Sequence, residues 1–239
     1  MTCVRTPAPV ENFHGNAAIA AENTATPSPA ATAPELAVAA SNPPPAPSRT
    51  AVWPERLDLV RVYYANTEEE TPIRLYASDG TVDENELAAF RRVVAAKGAG
   101  PAPIDARLVQ LVVKAAYHFH AHSLVVVSAY RPVSGSAARV RRAGKHATGE
   151  AIDFKLRGVD AKKLASYVRT FPRAGVGIYT HPDTQYVHLD VRDESFHWLD
   201  ASPPGKSWHE KRLDDPQRED RDAAYTPETD LPEKAAEAD

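Results

Sequence analysis

The sequence predicts an α+β fold in which a small central, mostly antiparallel sheet is flanked by helices. Strand-like and helix-like segments are mixed along the chain, and the first two strand-like runs have the pattern of a hairpin. Residues 123–128 are apolar apart from the two terminal serines, as is typical of a central strand. Residues 185–191 follow a turn and are expected to pair antiparallel with residues 175–179.

The other elements follow from the spacing of apolar residues and from turn residues. Residues 57–64 and 73–77 are the predicted arms of the hairpin, and residues 151–156 form a further strand. Aspartate is a preferred N-cap residue because its carboxylate accepts hydrogen bonds from the free N–H groups of the first turn. Three helices are predicted to begin at or near aspartates: Asp83, Asp105 and Asp160.

The composition divides the 239-residue chain into three parts. Residues 1–50 are rich in alanine and proline and cannot bury enough apolar surface to fold, so a disordered arm is expected. Residues 51–200 form the predicted folded domain. Residues 201–239 are charged and poor in large aliphatic side chains, so a mostly disordered tail is expected.

Several classes of protein are disfavoured by the same sequence. The net charge of −4 gives no reason to expect a nucleic-acid partner. No apolar run approaches the roughly 18 residues needed to cross a bilayer, and no signal peptide is recognisable in this sequence. The one cysteine, Cys3, excludes an intramolecular disulfide and has no apolar segment before it that would favour lipidation. The sequence leaves the oligomeric state open.

Three residues are candidate metal ligands. His146 lies in a loop and Asp153 on the strand that follows Gly149, while His188 lies on another strand-like run. Imidazole and carboxylate are natural zinc ligands, and three protein ligands leave a fourth position for water, as in catalytic zinc sites. The alternative is that His146 is an ordinary loop histidine and Asp153 a surface carboxylate.

Two further features have competing interpretations. Arg131 follows the central strand and precedes Pro132, which favours an extended backbone there, so it either reaches a site or forms a surface salt bridge. His118, His120 and His122 alternate at the end of the second helix. A second metal site is possible, but histidines that complement the dipole at a helix C-terminus are favoured.

Four sequence blocks, taken in order, resemble the zinc peptidases of the D-Ala-D-Ala carboxypeptidase family. The resemblance covers about residues 57–198 and is closest to the murein endopeptidases of the YcbK (MepK) type. The wider group includes lysostaphin-like peptidases and the Hedgehog signalling domain, and shares a small α+β metal-site fold. The blocks are residues 128–132, the element His146-x-x-Gly149-x-Ala151-x-Asp153, residues 175–179 and residues 187–190.

The resemblance implies that His146, Asp153 and His188 bind zinc and that Arg131 holds a carbonyl or carboxylate of the substrate. The implied substrate is a peptide stem or crosslink of peptidoglycan, and the implied location is the periplasm or cell envelope. Zinc would act as a Lewis acid, with Asp190 or another nearby group as the proton acceptor. Because residues two apart on a strand share a face, Asp190 could be the base, an outer partner of His188 or a ligand.

The chain departs from the family pattern at two positions. Gly144 stands where the family commonly has serine, and Gln185 stands where several relatives have a glutamate that acts as general base. An amide cannot take a proton from water. The murein endopeptidase branch also lacks that glutamate, so its absence does not by itself imply inactivity. The alternative function, which the resemblance to the Hedgehog domain permits, is a zinc-containing module that binds the cell wall without turnover.

Overall fold

A computed structural model describes residues 53–133, 135–136, 144–204, 206 and 211–233. The chain divides into two units, Met1–Pro44 and Pro45–Asp239, and every described residue belongs to the second. The arm predicted for residues 1–50 lies outside the described residues. The domain boundaries near residues 51 and 200 stay a prediction.

The described residues contain one sheet of eight strands in the order β2-β1-β3-β4-β6-β5-β7-β8. Its strands are β1 Val60–Tyr64, β2 Glu69–Ile73, β3 Ser123–Ser128, β4 Ala151–Leu156, β5 Ala174–Tyr179, β6 Val187–Val191, β7 Phe196–Asp200 and β8 Lys211–Arg212. The predicted α+β class is confirmed. The predicted small sheet is wrong, because the sheet is large and mixed, with parallel pairs β1–β3 and β5–β7.

The sequence missed β7 and β8, which extend the sheet past β5. β7 comprises Phe196–Asp200 and lies parallel to β5, while the two-residue β8 pairs antiparallel with β7. Neither strand has the long apolar run that marks a buried strand, since each lies towards one edge of the sheet. The edge strand β8 is stabilised by backbone pairing on one side only and needs fewer apolar side chains.

The first hairpin has a different second arm from the one predicted. Strand β2 is Glu69–Ile73, whereas the predicted arm was residues 73–77. Glu69–Ile73 pairs with β1 from Tyr64↔Glu69 to Val60↔Ile73. The polar residues fit because β2 is an edge strand, where a proline such as Pro72 is also tolerated.

The described residues contain four α-helices, which are α1 Glu84–Val93, α2 Ala106–His118, α3 Ala161–Val168 and α4 Arg218–Ala223. Asp83, Asp105 and Asp160 are the N-caps of α1, α2 and α3, and each carboxylate accepts backbone N–H groups of the first turn. Among the described helices, even the longest, α2 with 13 residues, is too short and too polar to cross a bilayer.

Helices α1, α2 and α3 pack against one face of the sheet, where the hydrophobic core lies. Strand side chains alternate between the two faces. On β4, Ile152 and Phe154 are fully buried in that core, and Asp153 between them points to the opposite face. We call this opposite face, which also carries His188 of β6, the site face.

Residues 211–233 form short elements that pack on the rest of the domain, in contrast to the mostly disordered tail expected there. Asp230 is buried and accepts hydrogen bonds from Arg107 Nε at 2.8 Å and from the Tyr225 hydroxyl at 2.9 Å. The Tyr225 ring also lies against the guanidinium groups of Arg107 and Arg173, at 4.6 and 4.8 Å. Polar and cation–π contacts hold this segment in place. The low content of aliphatic side chains in the sequence does not reveal such contacts.

Candidate metal centre

His146, Asp153 and His188 meet on the site face. One potential ligand atom from each residue lies within 4.8 Å of the other two, and all three residues are buried. Within the described part of the chain this is the one group of its kind. In particular, His118, His120 and His122 form no second group there.

The loop that carries His146 is fixed by the end of strand β3. His146 lies in a short 3₁₀ helix, Lys145–Ala147. Its Nδ1 donates to the Ala129 carbonyl at 2.7 Å, and its own carbonyl accepts the Arg131 N–H at 3.0 Å. Because a carbonyl only accepts, Nδ1 carries the proton and Nε2 is the free nitrogen that faces the other two candidate ligands.

The backbone between His146 and Asp153 requires a glycine at position 149. Its φ is +79°, a left-handed conformation that side chains other than glycine's rarely adopt. A Cβ at this position would also overlap the carbonyl of Pro103. The Gly149 carbonyl accepts the N–H of Asp105, the N-cap of α2, at 2.9 Å. The glycine therefore lets the His146 loop dock on the start of α2.

Asp153 and His188 are placed by strand register. They are directly paired residues on the antiparallel strands β4 and β6. Asp153 Oδ1 lies 2.8 Å from His188 Nδ1, and Asp153 Oδ2 lies 3.4 Å from His146 Nε2. The His146 Nε2 and His188 Nδ1 atoms are 3.3 Å apart. Two nitrogens and a carboxylate thus point at one another.

Asp190 holds the other side of the His188 ring. His188 Nε2 donates to Asp190 Oδ2 at 3.1 Å, and Asp190 itself is only 1% exposed. Arg192 donates from Nε to Asp190 Oδ1 at 2.6 Å and from Nη2 to Oδ2. The two oxygens of Asp190 are therefore engaged by protein donors, and His188 is left with Nδ1 facing Asp153.

The electrostatics of the cluster follow from these contacts. Burial by itself would raise the pKa of the Asp153 carboxyl, but the hydrogen bonds and charges of His146 and His188 lower it well below its usual range. Burial likewise opposes ionisation of Asp190, yet His188 and Arg192 lower its pKa. Burial disfavours the charged form of His188, but Asp153 and Asp190 raise its pKa to about 9. Both carboxylates are therefore ionised at neutral pH.

Arg131 lies at the edge of the cluster. Its Nη2 is 3.8 Å from Asp153 Oδ2, and its side chain is 62% exposed. The backbone hydrogen bond to His146 fixes the start of this side chain, while the guanidinium stays open to solvent. The ion-pair partner of Arg131 is thus a residue of the cluster, and a role of Arg131 in binding substrate stays a prediction.

Two glycines on β5 make room for neighbours of the cluster. A Cβ on Gly177, which pairs with both His188 and Trp198, would come within 2.5 Å of the Trp198 ring. The Trp198 ring centroid lies 5.0 Å from that of His188. A Cβ on Gly175 would overlap Asp190 Oδ2 and the Arg192 guanidinium. Trp198 and Arg192 were not predicted from the sequence as neighbours of the cluster. The two-residue spacing of His188, Asp190 and Arg192 is a pattern that would have indicated Arg192.

Gln185 lies just before β6, exposed and with a φ of +43°. Its N–H donates to the His181 carbonyl at 3.2 Å within the turn. Gly144 precedes the His146 helix with a φ of +83°, and a Cβ there would meet no atom within 4 Å. The backbone conformation therefore favours glycine over serine at this position.

Two buried imidazoles and a carboxylate are residue types that occur as ligands in catalytic zinc sites, and an exposed arginine lies beside them here. Residues 54–198, more than half of the chain, match the family described as peptidoglycan L,D-endopeptidase MepK. The chain belongs to this family, and the predicted relation to the D-Ala-D-Ala carboxypeptidase-like zinc peptidases is confirmed. No curated protein and no solved structure matches the chain.

Proposed function

We propose that this protein is a zinc-dependent peptidase that hydrolyses a peptide bond in the stems or crosslinks of peptidoglycan. The proposal is supported by the convergence of His146, Asp153 and His188 in a chain of the MepK family. The family description favours an L,D bond and endopeptidase activity. We further propose that the protein acts in the periplasm or cell envelope, where its polymer substrate is found.

The residues fit zinc by the chemistry of their donors. His146 would bind through Nε2, because Nδ1 donates to Ala129, and His188 through Nδ1, because Nε2 donates to Asp190. Asp153 would supply a carboxylate oxygen. Two imidazoles and a carboxylate are a known ligand set of catalytic zinc sites. Zinc held there would supply the Lewis acid that activates water and polarises the scissile carbonyl.

The chain's own residues would position the substrate and the ligands. The exposed guanidinium of Arg131, 3.8 Å from Asp153, is placed to hold a carbonyl or carboxylate of the peptide and to stabilise developing negative charge. Asp190 would fix the ring orientation and tautomer of His188, as carboxylates behind ligating histidines do. Its burial and its bonds to Arg192 favour this orienting role over that of the base.

Metal analysis and turnover together test the proposal. The purified chain should hold about one zinc and should cleave peptidoglycan fragments, with the product masses identifying the bond. Chelation should abolish cleavage and added zinc should restore it, and Asp153→Asn should lose both metal and activity. His122→Ala, a change at an exposed histidine outside the cluster, is the matched control.

Two results would overturn the proposal in different ways. A chain that cleaves equally well after exhaustive chelation would not depend on zinc. A chain that holds zinc and binds the polymer, yet releases no product from any fragment, would be the binding module considered as the alternative. The exposed Gln185, in place of the glutamate found in several relatives, would then be the first residue to exchange.

A further inference from the structure

Arg192 extends the line of polar residues that starts at the metal cluster. It lies one residue beyond β6 and is two residues from Asp190, as Asp190 is from His188. Its guanidinium contacts both oxygens of the Asp190 carboxylate, from Nε at 2.6 Å and from Nη2. Paired contacts of this kind fix the plane of a carboxylate as well as its position.

The Arg192 side chain is itself held in place from several directions. Its backbone N–H donates to the Arg173 carbonyl at 3.1 Å. Its guanidinium carbon lies 5.6 Å from the centroid of the Phe196 ring and 6.0 Å from that of Trp198. Beneath it, Gly175 has no Cβ to compete for the space that the guanidinium and Asp190 occupy. The side chain is only 24% exposed.

This arrangement matters because one contact alone does not fix the Asp190 carboxylate. His188 Nε2 reaches Oδ2 at 3.1 Å, and the carboxylate could rotate about that contact if nothing else held it. Arg192 also supplies the positive charge that balances a carboxylate with 1% exposure. A buried charge without a partner is costly, so removal of Arg192 would favour a shifted Asp190.

We propose that Arg192 is a positioning residue of the metal centre: it fixes Asp190, and Asp190 in turn fixes the His188 ring with Nδ1 towards the metal. The inference depends on the proposed function, since it assumes that His188 is a ligand. It is supported by the contacts of Arg192 with Asp190, the stacking on Phe196 and Trp198, and the space left by Gly175.

Zinc affinity of the full chain, measured by competition with a chromogenic chelator, tests the proposal. Arg192→Met should weaken zinc binding about tenfold, in the range found for outer partners of ligating histidines. Arg192→Lys keeps the charge but cannot contact both oxygens in the same plane, so an intermediate loss is expected. The control is Arg61→Met on the distant strand β1, which removes the arginine of an exposed ion pair with Glu70 of β2.

A double variant separates positioning from a general structural effect. If Arg192 acts through Asp190, zinc affinity of Asp190→Ala/Arg192→Met should equal that of Asp190→Ala alone. Losses that multiply would show that Arg192 acts independently and would overturn the inference, as would unchanged affinity in both Arg192 variants. The urea midpoint of each metal-free variant shows whether the fold is intact, and Arg192→Lys or the double variant gives the answer if Arg192→Met does not fold.

The wild-type result separates this inference from the proposed function. If the wild-type chain binds no zinc, the proposed function fails and the Arg192 inference falls with it. If the wild-type chain binds zinc and the Arg192 variants bind it equally well, the Arg192 inference alone is wrong.

Discussion

Asp153 and His188 are directly paired residues on the antiparallel strands β4 and β6, and Asp153 Oδ1 lies 2.8 Å from His188 Nδ1. The contact depends on register, because a slip of one residue would turn either side chain to the opposite face. Ile152 and Phe154 prevent that slip, since it would move them from the core to the site face. The hydrophobic pattern of β4 thus positions a polar site.

Two substitutions distinguish the possible roles of Asp190, which are orienting His188, acting as the base and binding the metal. Asp190→Asn keeps an oxygen that can accept the His188 Nε2 proton, whereas Asp190→Ala leaves that proton without a partner. If Asp190 orients His188, Asp190→Ala should weaken zinc binding about 10- to 100-fold and Asp190→Asn should weaken it considerably less. Zinc affinity and cleavage rate of both variants should be measured, with the exposed neighbour Asp193→Asn as control.

A catalytic base would give a different pattern. Asn and Ala would then both reduce turnover by about 10²–10⁴-fold while zinc stays bound. Complete loss of metal from both variants would instead show that Asp190 is itself a ligand.

Gly175→Ala should weaken zinc binding without any change to a polar residue. The new Cβ would overlap Asp190 Oδ2 and the Arg192 guanidinium, so this pair must shift from its present contact geometry with His188. Gly100→Ala is the control, because its Cβ would meet no atom within 4 Å and its φ is not in the left-handed region. Equal zinc affinity of the two variants would show that the space at Gly175 is not needed.

Asp230→Ala should destabilise the domain by about 2–3 kcal/mol, the usual range for a lost hydrogen bond to a charged group. The change leaves the partly buried Arg107 and the Tyr225 hydroxyl without this carboxylate. Urea unfolding measures the loss, and limited proteolysis should cut residues 211–233 faster than in the wild type. Glu219→Ala, at an exposed ion pair with Arg218, should have an effect below about 0.5 kcal/mol. If the two variants unfold alike, residues 211–233 do not stabilise the domain.

His197 should make stability depend on pH. Burial, together with the positive charges of Arg169 and Arg221, lowers the pKa of His197 from 6.5 to about 4, although Asp215 opposes the shift. The unfolded chain therefore binds this proton more readily than the folded chain. The stability contributed by neutral His197 is present above about pH 6.5 and is lost as the pH falls towards 4.

The test compares wild type with His197→Gln, which cannot be protonated. Urea midpoints measured between pH 7.5 and 4.5 should show that wild type loses stability relative to the variant on acidification. A difference between the two proteins that is constant over this range would show that folding does not lower the pKa of His197.

The sequence predicted the parts of the site that depend on short-range pattern. The pattern of His146, Gly149 and Asp153 predicts a loop, a turn and a strand. In the structure His146 lies in a short 3₁₀ helix of that loop, Gly149 has a φ of +79° and Asp153 lies on β4. Asp83, Asp105 and Asp160 likewise cap their helices as expected, because an N-cap is a contact within one turn. The ligand assignments themselves stay a prediction until the metal is measured.

What the sequence did not predict depends on contacts between distant segments. The edge strands β2 and β8, and β7 beside β8, are defined by the strands with which each pairs. Residues 211–233 resemble a disordered tail in composition, yet their charged groups contact Arg107 of α2 and Arg173, the residue just before β5.

By itself, the sequence determined an α+β framework and the segments, near residues 146–153 and near residue 188, that carry residue types able to bind a metal, because local spacing fixes loops, turns and strand faces. Only the tertiary structure decided that Asp190 is enclosed by His188 and Arg192, that Gly175 provides the space for this pair, and that Trp198 packs beside the His188 ring. The physical reason is that each of these relations depends on the sheet: strand pairing sets Gly175 opposite Asp190 and Gly177 between His188 and Trp198.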